Sequence, residues 1–168
     1  MVMRARPLVN GGYMSKSLAR VIAALGNAGQ PPVEMPAETR SAAQAAAAAG
    51  CDIDQIVKSI IFGGASGKMY LFLTAGGNQV DPALASALAG EALERADPDA
   101  VRQKTGFAIG GVSPIGHLTP LPIWMDPRLF ECATVWAAAG TPRHIFQIAP
   151  DALNRLTGAK IAPFTMKL

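Results

Sequence analysis

Cysteine, histidine, charge and aromatic rings are all scarce in this chain, and each scarcity closes off a class of chemistry. Two cysteines and two histidines occur among 168 residues, with no Cys-x-x-Cys and no histidine at ligand spacing from Cys51 or Cys132. No zinc signature is therefore present, and neither a metal nor a cofactor is expected. Two thiols so far apart in the chain are expected to be free, in a reducing, cytoplasmic setting. No long apolar run exists: none is longer than the alanine tract Ala45–Ala49, far short of the roughly 20 residues that cross a bilayer. The first thirteen residues carry Arg4 and Arg6 but no apolar core of a secretory signal. They are expected to be an extension without function ahead of one domain, residues 14–168. Charged residues make up only 16%, and the net charge of +3 is not gathered into a Lys/Arg block. A mildly basic balance suits an anionic partner without proving one.

What the chain does have is a 50% hydrophobic content, enough for a folded core without staples. Ser15 to Gly26 reads as a helix, with Ser17 as its cap and Leu18, Val21, Ile22 and Leu25 as its stripe. Pro31, Pro32 and Pro36 hold Val33–Met35 extended, and Thr39-Arg40-Ser41 caps an alanine helix, Ala42–Ala49, that Gly50 ends. The period then changes. Ile53 to Phe62 is rich in β-branched residues, a turn follows at Gly63–Gly67, and Met69–Thr74 returns, so the pair is a hairpin. Asp81-Pro82 and Asp97-Pro98 each open a helix. Pro122–Asp126, Cys132–Trp136 and His144–Ile148 read as strands, and Pro150 starts a last helix. Strands and helices interleave without βαβ alternation, which predicts an α+β fold with a mixed sheet under a layer of helices.

Two features call for chemistry. The first is the loop Gly110-Gly111-Val112-Ser113-Pro114-Ile115-Gly116, which follows the apolar run Phe107–Ile109. Glycines let another molecule approach the main chain, and Pro114 holds the loop in shape. Such a loop is either a tight turn or a cradle for a carbonyl or phosphate oxygen. It lacks the Gly-Lys-Ser/Thr ending of a P-loop and the spacing of a dinucleotide fingerprint. The second is Lys58, a charge among Ile56, Val57, Ile60 and Ile61. It faces either solvent or a cleft. The apolar residues around it do not alternate cleanly, which predicts a strand covered on both faces and favours the cleft.

Val57-Lys58-Ser59-Ile60-Ile61-Phe62, Leu73-Thr74-Ala75-Gly76-Gly77-Asn78-Gln79-Val80-Asp81, the glycine loop and Ile123-Trp124-Met125-Asp126 occur in this order. In that order the chain resembles the YbaK family, the prolyl-tRNA synthetase-associated editing domains, from about Ser15 to Ile161. The resemblance implies a mostly antiparallel, partly barrel-like sheet. It implies a free-standing deacylase that hydrolyses the ester of a mischarged aminoacyl-tRNA, of the Cys-tRNA(Pro) or Ala-tRNA(Pro) type. Lys58 matches the family's strand lysine, and Gly110 through Pro114 its G-x-x-x-P loop. Main-chain N–H groups of Gly111, Val112 and Ser113 would hold the oxyanion, while Asn78, Pro114, Gly116 and His144 would line the site. The partner implied is the acceptor end of aminoacyl-tRNA, with a prolyl-tRNA synthetase beside it and no DNA or membrane.

Other residues have quieter readings. Asp81 is a helix cap, Asn78 a turn former, Asp126 a strand end, His117 a rim residue, and His144 either a base or a structural histidine. Thr141-Pro142-Arg143-His144 departs from the Arg-Arg-Gly turn of the cysteine-clearing branch, which leaves the cleared amino acid open. A non-catalytic module that holds a tRNA end or a synthetase is the competing reading.

Overall fold

The computed structural model describes residues 6–7, 15–37, 39 and 41–168. In chain order the elements are β1 (Arg6–Pro7), α1 (Lys16–Leu25), β2 (Val33–Glu34), α2 (Ala42–Ala49), β3 (Val57–Gly64), β4 (Met69–Ala75) and β5 (Asn78–Val80). Then come α3 (Pro82–Ala89), β6 (Leu93–Arg95), α4 (Pro98–Thr105), β7 (Ile123–Met125), β8 (Val135–Ala138), β9 (His144–Ile148), α5 (Pro150–Thr157), β10 (Lys160–Ile161) and β11 (Thr165–Lys167). Short 3-10 helices occupy Ile53–Gln55 and Pro127–Glu131. Of the expected extension 1–13, only the Arg6–Pro7 backbone is described, paired antiparallel to β2; the remainder and Arg40 lie outside the described residues.

The fold is α+β, with strands in the orders β10-β7-β4-β3-β6, β1-β2-β9-β8 and β11-β5. Most pairs are antiparallel; β7 is parallel to both β4 and β10. The sheets do not close into a barrel, which corrects the partly barrel-like expectation. β8 packs beside β3 but is bridged only to Ile56, just before the strand, through Trp136, and β6 pairs with β3 only at Phe62–Gly64. Nor is β3 the strand covered on both faces: it is half-buried from Lys58 to Gly63, whereas every residue of its partner β4 is buried. β4 lies between two cores because alternate side chains leave a strand on opposite faces. Leu71 and Leu73 join Phe107, Met125 and Phe146 on one side, while Phe72 stacks on Trp124 at 5.2 Å and meets Phe164 edge-on on the other.

Local signals set most boundaries. Asp81 and Asp97 cap α3 and α4 with their carboxylates, and Ser41 caps α2. In α1 the cap is Ser15, not Ser17, and its hydroxyl accepts from the Leu18 N–H. Cys132 ends a 3-10 helix, so the following strand starts at Val135. β5, β6, β10 and β11, of two or three residues each, are too short to show a period.

Candidate active site

Lys58 is the second residue of β3, opposite Thr74 of β4. Alternation sends its side chain to the face of Ile60 and Phe62. Its ammonium donates to the carbonyl of Asn78. That carbonyl is firmly placed. The Gly77 N–H donates to Asp54 Oδ1 at 2.9 Å, and Asn78 Nδ2 donates to Asp126 Oδ2 at 2.9 Å. β11 completes the frame, with Lys167 opposite Asn78. Burial pulls the lysine below its ordinary pKa, and the carboxylates of Asp126 and Asp54 draw it back up. The result is a half-buried cation with counter-charges behind it.

The outer edge of β3 carries no ladder partner beside this lysine. The Leu71 N–H bonds to the Pro122 carbonyl and the Leu73 carbonyl accepts from Asp126, so these β4 residues turn their main chain toward β7. Their neighbours Phe72 and Thr74 therefore bond to Ile60 and Lys58, and the main-chain groups of Ser59 and Ile61 point away from β4. Between the bridge at Ile56 and the β6 ladder at Phe62, no described strand pairs with that edge in a ladder, although β8 packs close beside β3. The Ser59 hydroxyl is buried without a hydrogen-bond partner, which is costly unless a ligand or water supplies one.

The glycine loop lies over the core that Val57 shares with Val112 and Ile115. Its main chain is pinned from outside: Arg20 donates to the carbonyls of Gly106 (2.6 Å) and Gly116 (3.3 Å), and His117 Nε2 donates to the Ser113 carbonyl at 2.7 Å. One expected donor is already used, because the Gly111 N–H closes a turn on the Ala108 carbonyl at 3.0 Å. The N–H groups of Val112 and Ser113, both buried residues, have no partner among the described residues. Gly111 sits so close to the Thr141–Pro142 main chain that a Cβ would come within 2.9 Å of the Thr141 carbonyl carbon. That contact brings the loop to His144, whose Nδ1 lies 2.5 Å from the Thr141 hydroxyl. The Arg143 N–H donates to the same hydroxyl oxygen at 3.2 Å, so Thr141 ties the His144 ring to the turn beside the loop. Burial, with Arg143 nearby, lowers the pKa of His144 despite Glu34. Pro114 and Gly116 line a separate cleft of about 220 Å³ behind the loop, with Ile115, His117, Leu121 and Leu156.

The family model of the aminoacyl-tRNA editing domain matches residues 36–156, a stretch that holds Lys58 and the glycine loop. The chain belongs to that family. A solved structure described as "Crystal structure of a putative trans-editing enzyme for prolyl tRNA synthetase" is 47% identical, with a TM-score of 0.84 over 92% of this chain and 99% of the other. A second, of the hypothetical protein APE2540, is 26% identical with a TM-score of 0.80 over 90% of this chain and all of the other. The uncharacterised protein YwhH of Bacillus subtilis (strain 168) is 29% identical over 74% of this chain and 80% of its own length.

Within this editing domain the expected residues fall into two groups. Lys58 and Asn78 meet directly, and the Gly110–Ser113 loop meets the turn that holds His144. No hydrogen bond or ion pair joins the two groups among the described residues. Ser59 and Asp126 were missed as site residues, the first because a serine in a strand carries no pattern of its own. Asp126 follows an apolar strand, where a carboxylate reads as a terminator; only the fold shows it 2% exposed with Asn78 on it. No group of three or more His, Cys, Asp or Glu side chains is placed to hold a metal among the described residues.

Proposed function

We propose that this editing domain hydrolyses the ester bond of mischarged aminoacyl-tRNA in trans, of the Cys-tRNA(Pro) or Ala-tRNA(Pro) type. The observation that carries this is the glycine loop's buried Val112 and Ser113 N–H groups, which have no acceptor among the described residues, in a domain whose strand β3 carries the half-buried Lys58 on one face and the unpartnered Ser59 hydroxyl on the other. A buried donor without a partner is costly, so these groups suit a ligand rich in oxygen acceptors. An aminoacyl ester is such a ligand, and it is already activated.

In this reading water adds to the ester carbonyl, and the negative oxygen so formed lies against the Val112 and Ser113 N–H groups. The tetrahedral adduct then expels the terminal ribose oxygen, which takes up the proton lost by the attacking water. Lys58 pairs with the terminal phosphate or the developing charge. A protein base is not required if the free ribose hydroxyl relays the proton, as the family resemblance implies. Asn78 and His144 serve binding, and Pro114 and Gly116 hold the loop's shape. The partner is the acceptor end of the tRNA, delivered by a prolyl-tRNA synthetase in the cytoplasm. The 47% identical structure described in those terms supports this partner.

The test is a panel of tRNAs charged with cysteine, alanine, serine and proline, incubated with catalytic amounts of the protein. Loss of one or two esters with multiple turnover is expected. Binding without turnover on every member would favour the non-catalytic module.

A further inference from the structure

We propose that Asp126 is a positioning residue for Lys58, fixing through Asn78 the point at which the ammonium stands. The inference rests on the reading of Lys58 as a group that meets substrate. A lysine has four rotatable bonds, so a half-buried one is useful only if its head is held. Here the hold is the Asn78 carbonyl, and Asn78 is itself held by its side-chain amide on Asp126 Oδ2.

The remaining contacts of Asp126 make it a rigid anchor. Oδ2 also accepts from the Ala75 N–H at 3.1 Å, and Oδ1 accepts from the Arg128 N–H at 2.9 Å. One carboxylate thus ties the end of β4, the start of β5 and the 3-10 helix after β7 to a single point, and it is 2% exposed. A cap alone needs only the Arg128 contact. The bond to Asn78 joins residues 48 positions apart in the chain and leads straight to the lysine. The charged groups about the ammonium are Asp126, Asp54 from the 53–55 turn, Arg128 (which pairs with Asp54 at 3.0 Å) and the exposed Lys167 on β11. The Cys132 thiol sits against the Asp54 carbonyl. Of these, Asp126 is the one whose carboxylate also binds the residue that receives the ammonium.

The test compares Asp126→Asn, Asn78→Ala and Lys58→Ala in the full chain, with circular dichroism as the folding check. One readout is single-turnover deacylation of the ester identified by the panel. The other is NMR of protein labelled at lysine Cε, with the Lys58 signal assigned by its loss in Lys58→Ala. In both folded variants the rate constant is expected to fall about a hundredfold, the scale on which an ångström of misplacement is felt. In Asp126→Asn the Lys58 signal should titrate at lower pH than in the wild type, and in Asn78→Ala it should shift in position. Should Asp126→Asn not fold, Asn78→Ala decides by the same two readouts. A wild-type rate and an unmoved Lys58 signal in the folded variants overturn the proposal. If Lys58→Ala keeps full activity, the reading of Lys58 fails instead, and the NMR arm alone decides whether Asp126 holds it.

Discussion

A lysine on a half-buried strand keeps its charge only where something replaces the water it has lost. For Lys58 the replacement is a carbonyl and two nearby carboxylates, which oppose the effect of burial without making a tight ion pair. An ammonium left short of partners in this way has a place for an anion. Lys58→Ala is therefore expected to cost about a hundredfold or more in deacylation, the scale of losing one charge-stabilising group from an active site. Its thermal midpoint should stay at or above that of the wild type, because the alanine has no charge to desolvate. A folded Lys58→Ala protein with near wild-type turnover would refute the role. The two glycines of the loop answer to different physics. Gly110 has φ of +97° with open space where a Cβ would go, so Gly110→Ala strains the backbone alone. Gly111→Ala would press a methyl group onto the Thr141–Pro142 main chain and move the loop off the His144 turn. Both should lower the single-turnover rate more than they weaken tRNA binding, Gly111→Ala the more strongly. Loss of affinity alone would make the loop a binding element.

Among the elements, the β3–β4 hairpin shows how a surface contact can hold the strand that carries the site. Its turn is latched by Glu91, which accepts from the Ser66 N–H and hydroxyl and from the Tyr70 hydroxyl at 2.5 Å. The hydrogen bond from Tyr70, then those from Ser66, hold the Glu91 carboxyl at about 2 against an ordinary 4.5. A carboxyl depressed on folding contributes stability that is fully present above its unfolded pKa and is lost as pH falls toward the folded value. Thermal midpoints should therefore drop between about pH 4.5 and pH 2, and Glu91→Gln should flatten that limb while lowering the midpoint at pH 7. An acid limb unchanged in Glu91→Gln would show that the latch contributes nothing. This hairpin was legible in the sequence because β-branched runs flank a glycine turn, and the helices were legible because Asp-Pro and Ser caps mark their starts. The edges were not. β5 and β11 exist only because they pair with each other, and two or three residues carry no period to betray it. The same holds for the site: Lys58 and the glycine loop stand out locally, while Ser59 and Asp126 acquire meaning only from what the fold leaves unpaired or brings to them.

On the scale of the whole molecule, charge decides how much of a nucleic acid the domain can hold. Fifteen Lys and Arg against twelve Asp and Glu leave a net +3, spread over the chain without a block. Several of the cations already have partners within the chain: Arg20 on the carbonyls of Gly106 and Gly116, and, at the surface, Arg128 on Asp54 and Glu131 and Arg143 on Glu34. Each phosphate neutralised by a free cation adds a little under one to the slope of log affinity against log salt, and less on single strands. Lys58 with a few scattered side chains therefore predicts a slope of about one to three and weak, micromolar-class binding, confined to the acceptor end. Fluorescence anisotropy of labelled tRNA over a salt series measures this slope. A short acceptor-stem minihelix should bind nearly as well as whole tRNA, since the rest of the molecule has little basic surface to meet. A slope of about six or more, or a minihelix bound far more weakly than tRNA, would demand a second contact surface. On the proposed function, selection among esters falls to the glycine loop, where the buried Val112 and Ser113 N–H groups have no acceptor among the described residues and a misplaced one is penalised.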